Sequence, residues 1–141
     1  MDLIRPVRRA TLTALKDDAA LTALIPAANI HPATQAGDAP WPFMRWDAPS
    51  ATPLTWGATV SFRLHVFGRP VFNSGGAMTE TAEDFVLRAL GAARRVVHRN
   101  RVPLTGGSVR LWSDLTRAMP DGAERDAWHG IIAVTARAFA E

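Results

Sequence analysis

A chain of 141 residues, 48% hydrophobic and 21% charged, can bury a core and has the composition of an ordinary globular fold. The lack of cysteine excludes disulfides and thiolate-bound metals, and no apolar run approaches the length of a membrane-spanning helix. The net charge is only +3, but Lys16 is the single lysine among 16 basic residues, so the cationic chemistry is that of the planar, forked guanidinium.

Asp2 is placed to cap a first helix over residues 3–16, with Pro6 in the opening turn, where proline is tolerated. Leu3, Val7, Ala10, Ala14 and then Ala20 or Leu21 form its apolar stripe. Asp17 or Asp18 caps a second short turn through Leu21, Leu24 and Ile25, which Pro26 ends. Charged residues interrupt the N-terminus before any targeting segment forms, so cytoplasmic synthesis is the expectation.

Between residues 27 and 54 the chain is punctuated by Pro32, Pro40, Pro42, Pro49 and Pro53. Short strands are predicted over 29–31 and 43–47, and exposed loops over 33–39 and 48–57. Loops of that length in a compact domain commonly carry function. The sequence has five tryptophans and no tyrosine, and Trp41 and Trp56 lie in or beside these loops. An exposed indole is a typical interface anchor, so both are candidate contact residues.

Residues 58–69 alternate strictly. Val60, Phe62, Leu64 and Val66 fall on one face, Thr59, Ser61, Arg63 and His65 on the other, as in a half-buried strand. A turn at Asn73, Ser74, Gly75 and Gly76 leads to a helix with Ala82, Phe85, Val86, Ala89, Leu90, Ala93 and Val97 on one stripe. Its acids, Glu80, Glu83 and Asp84, precede its bases, Arg94, Arg95 and His98, as the helix dipole prefers. Asp84 and Arg88 make an i,i+4 pair, and Gly91 reads as a site of close backbone approach. Strands over 108–118 and 126–139, joined by a turn at Pro120, Asp121 and Gly122, complete a hairpin. The sum is a single α+β domain over residues 1–141. It has a mostly antiparallel four- to five-stranded sheet, two main helices packed on one face, and sheet edges open to strand addition between subunits.

Little in this chain resembles catalytic machinery. The glycine-serine turns at 74–76 and 106–108 lack the lysine of a phosphate loop and the spacing of a nucleophile elbow. His31, His65, His98 and His129 stand on different elements without metal-ligand spacing, and His65 reads as a surface residue. Glu83 and Asp84 point to different sides of their helix and form no dyad. No catalytic residue, cofactor or metal is therefore expected. The strongest charged feature is the run Arg94, Arg95, His98, Arg99 and Arg101. It is either a solvated helix exit or a patch for phosphate or an acidic surface; the second reading would make the chain a small nucleic-acid-binding module.

A resemblance runs through nearly the whole chain. It is carried by the 19–25 turn Ala-Ala-Leu-Thr-Ala-Leu-Ile, by Ile30-His31-Pro32, by Pro40-Trp41-Pro42-Phe43 and by Leu64-His65-Val66-Phe67. The helix with Ala82 and Leu90, the Leu104-Thr105-Gly106 turn, Asp121-Gly122 and His129-Gly130 complete it. In this order they resemble the tail-terminator (tail-completion) proteins of long-tailed phages, most closely that of alphaproteobacterial gene transfer agents. The resemblance implies a hexameric ring that caps the tail tube and joins it to the head-side connector (stopper) protein. DNA would pass through the lumen without sequence-specific binding. It implies no enzyme activity, no cofactor and no membrane. On this reading Trp41, Trp56, Arg94, Arg95, Arg99 and Arg101 are candidate interface residues.

Overall fold

The strictly alternating stretch becomes the middle of a sheet, which is why it must bury one face along its whole length. A computed structural model describes residues 2–33 and 39–140. The loop expected over 33–39 thus lies, apart from its two end residues, outside the described residues. From edge to edge the six-stranded sheet runs β1 (Ile30–His31), β2 (Phe43–Leu54), β3 (Gly57–Gly68), β8 (Trp128–Ala140), β7 (Gly107–Pro120) and β6 (Asn100–Leu104). β1 is parallel to β2, and every other pair in this sheet is antiparallel. A separate small hairpin pairs β4 (Val71–Phe72) with β5 (Met78–Glu80).

Helices α1 (Ile4–Asp17) and α3 (Ala82–Val97) cover one face, with the single turn α2 (Ala19–Thr22) beside them. Each start is capped as its sequence directs. Asp2 Oδ1 accepts the Ile4 N–H at 3.0 Å, Asp18 rather than Asp17 accepts from Leu21 at 2.9 Å, and Thr81 accepts from Asp84 at 3.1 Å. Val60, Phe62, Leu64 and Val66 of β3 are buried against Phe85, Val86, Ala89, Leu90, Ala93 and Val97 of α3, with Val7, Leu12 and Leu15 of α1 in the same core. The close approach to the side chains of α3 sits at two strand glycines. A Cβ on Gly68 would lie 2.6 Å from Phe85 Cδ1, and one on Gly130 2.7 Å from a Leu90 methyl. Gly91, expected to mark such a contact, faces open space.

Three expectations are corrected. The sheet has six strands rather than four or five, because residues 100–104, with Asn100, Arg101 and Pro103, hide their alternation yet pair with β7 from Asn100↔Leu111 to Leu104↔Gly107. Residues 48–57 are no loop: β2 continues to Leu54 and turns through only Thr55 and Trp56 into β3. A bulge between Asp47 and Ser50, with Ala48 at φ 53°, absorbs Pro49. Proline is tolerated there because β1 pairs with β2 only at Met44 and Arg45, leaving the rest of that edge without a partner strand among the described residues. Finally, Arg88 pairs with Glu80 through two hydrogen bonds of 2.7 and 3.0 Å, not with Asp84. Proline thus stands at Pro103 on the outermost strand β6 and at Pro49 and Pro53 on the stretch of β2 beyond β1, where strand addition would need N–H donors.

Candidate functional site

With the helices on one side, the other side of the sheet is free of them, and strand pleating sends every second residue there. At one end of this open face the rings gather. Phe43 and Phe67 stack with centroids 4.5 Å apart, and Phe67 stacks on His129 at 4.3 Å. Trp41 stands edge-on to Phe43 at 5.1 Å and to Phe67 at 6.1 Å, with the Arg69 guanidinium 4.2 Å over its ring. Arg45 lies over Phe67 at 5.0 Å. Such pairs contribute roughly 0.5–1.5 kcal/mol each beyond their burial.

Inside this cluster His65 Nδ1 and His129 Nε2 are 2.7 Å apart, so one ring donates and the other accepts. Asp47 Oδ2 lies 3.4 Å from His65 Nε2. His65 is only 6% exposed, not the solvated residue its place in the alternation implies. Burial, then the neighbouring His129 and Arg45, push its pKa down to about 4 against the opposing pull of Asp47. Burial also holds His129 below its ordinary value, with Asp121 opposing. The facing nitrogens satisfy each other, and among the described residues no group of three His, Asp or Glu is placed to hold a metal. At the helix exit, His98 Nδ1 meets Ser113 Oγ at 2.9 Å, which ties the end of α3 to β7.

The six candidate contact residues are not brought together. Trp41 is half-buried in the ring cluster. Trp56 sits at the tip of the β2–β3 hairpin, 52% exposed, stacked on Phe139 at 5.0 Å. The arginine run is divided: Arg94 and Arg95 lie on the outward side of α3, Arg99 in the connection at φ 58°, and Arg101 on β6. Arg101 pairs with Arg110, one residue from the buried Val102–Val109 pair, so it points to the open face, away from the helices. Sequence reading missed the histidine pair because strand register, not spacing along the chain, makes them neighbours. It also missed Val71, Phe72 and Met78, which are exposed on the β4–β5 hairpin. A cleft of about 390 Å³ beside that hairpin is lined by Trp41, Pro42, Arg69, Pro70, Val71, Phe72 and Phe85.

Comparison with known proteins gives two findings. The family model described as tail completion protein gp17 matches residues 9–138. A chain in a solved structure described as the virion of a native gene transfer agent (GTA) particle shares the fold. Its TM-score is 0.73 at 17% identity, over 96% of each chain. No curated protein matches the sequence.

Proposed function

The chain belongs to the tail completion protein gp17 family, and from that premise we propose that it is a structural tail terminator acting as one domain over residues 1–141. In this role it forms a ring, a hexamer by resemblance, that caps the tail tube of a phage-like particle and joins it to the head-side connector. DNA passes through the ring. The subunit is made and assembled in the cytoplasm, then becomes part of the tail, and its work is structural rather than catalytic. The observation that carries this reading is the family match over nearly the whole chain, together with the fold shared with a chain of the gene transfer agent virion.

A closed ring of like subunits needs two different patches on each subunit. Two exposed apolar sites meet that need: Trp56 at one end of β3, and Phe72 with Met78 beyond the other. The 12 residues of β3 between them place these sites about 36 Å apart, far enough to serve opposite neighbours. We assign Trp56 and Trp41 to these contacts, and Arg94, Arg95 and Arg99 to the outer surface, where a tail-tube or connector protein docks. The division of the arginine run between two sides of the fold counts against a nucleic-acid module built on that run alone.

Loss of the gene tests the proposal. Heads that package DNA should accumulate beside unjoined or overlong tails. Normally joined particles in its absence would overturn the terminator role.

A further inference from the structure

Strand register assembles a feature that lies scattered in the sequence. Arg101 pairs with Arg110 across β6 and β7, and Arg110 pairs with Arg137 across β7 and β8. Directly paired residues share a face, and the flanking row Val102, Val109 and Ala138 is buried under the helices. The three arginines therefore stand side by side on the open face, all exposed, and none has an ion pair with another described residue. Like charges directly opposite each other in a sheet are destabilising, so such a row calls for an anion from outside. Among the described residues the carboxylates of this face are already engaged: Asp47 with Arg45 and His65, and Asp114 with the Thr135 hydroxyl.

We propose that this row, Arg101–Arg110–Arg137, binds the phosphate backbone of duplex DNA without reading its bases. Strands about 4.8 Å apart spread the three guanidinium stems over about 10 Å, a length along which a duplex presents about six phosphates. Thr59, paired with Arg137, extends the row with a hydroxyl, and Ser108 lies two residues from Arg110. The Arg110 guanidinium is steadied 5.3 Å over the Trp112 ring. The large rings beside the row are already engaged, Trp112 by the Arg110 guanidinium and Phe139 by the Trp56 ring, so neither is the free apolar anchor that an acidic protein surface would want. The binding itself is independent of the terminator role; that the DNA is met inside a ring rests on that role.

The test is a titration of a short mixed-sequence duplex against the intact protein over a range of salt. Replacing all three residues (Arg101→Gln, Arg110→Gln, Arg137→Gln) should reduce the slope of log affinity against log salt by about 2.7, at about 0.9 per lost phosphate contact. Scrambling the duplex sequence should change nothing, and the variant Arg94→Gln, Arg95→Gln, Arg99→Gln should keep the wild-type slope. An unchanged slope in the first variant, a loss in the second, or absence of duplex binding by the wild type would overturn the proposal. So would displacement of the duplex by polyglutamate at equal charge concentration, which would point to an acidic protein. If the glutamine variant melts early, the triple lysine variant decides: it keeps the charge and must keep the slope. Failure here with unjoined tails on gene loss leaves the terminator role standing; DNA binding with normal joining leaves only this proposal.

Discussion

The two faces of one sheet were built under different rules. On the helix side Val60, Phe62, Leu64 and Val66 meet Phe85, Val86 and Leu90, and the packing is tight enough that Gly68 and Gly130 leave no room for a methyl group. On the open side the same strands carry stacked rings, a histidine pair and an unpaired arginine row. Stability should therefore concentrate on the first face and recognition on the second. Mutations that break this division would show where the reading is wrong.

The largest expected effect is on the covered face. Leu90→Ala should destabilise by about 2–5 kcal/mol in urea unfolding, since Leu90 is 1% exposed and its loss leaves a cavity. Arg88→Ala, two residues away on the outside of the helix, should cost no more than about 1 kcal/mol, the worth of an exposed ion pair. Equal costs would mean that α3 is turned the other way.

Acid titration sharpens the comparison, because it probes burial on the open face. His65 and His129 are held below the ordinary histidine value of 6.5, His65 at about 4, so in that interval the unfolded chain binds protons that the folded chain refuses. Stability is complete above about pH 6.5 and falls as the pH drops towards 4, by an amount on the order of 3 kcal/mol. A flat unfolding free energy across that window would show that the pair is solvated.

Gly130→Ala returns to the covered face with a smaller effect, about 1–3 kcal/mol from overpacking against Leu90. Combined with Leu90→Ala it should cost clearly less than the sum of the two single changes, since the cavity receives the new methyl. Strict additivity would separate the two residues in space.

The smallest stability effect belongs to Trp56→Ala, about 1 kcal/mol or less for an exposed ring. Its effect on assembly should be the reverse: a melting temperature near wild type, with ring formation or tail joining lost. Early melting with assembly intact would assign the indole to its own subunit's stability.

What could be read from the sequence follows the same division. Periodicity reports burial, so α3, β3 and the long terminal hairpin were legible from Phe62, Leu90 or Ile132 and their neighbours. Partnership across strands leaves no trace in spacing. His65 and His129 are 64 positions apart and meet only through register, as do Arg101, Arg110 and Arg137. The β2–β3 turn was hidden for a local reason: Thr55 and Trp56 supply none of the Asn-Gly or Asp-Gly chemistry that marks a tight hairpin, and Pro53 beside them argues for a loop. β6 was concealed by Pro103 in the same way.

The prolines of β2 and β6 also bear on the subunit before it meets its partners. A sheet with bare edges can zip onto a second sheet by backbone hydrogen bonds alone, and a heterologous match of that kind propagates into fibres. Pro49 and Pro53 remove donors from the stretch of β2 beyond β1, and Pro103 removes one from β6. At those positions contact falls to side chains, whose match with a partner, unlike backbone pairing, is specific to the surface they meet.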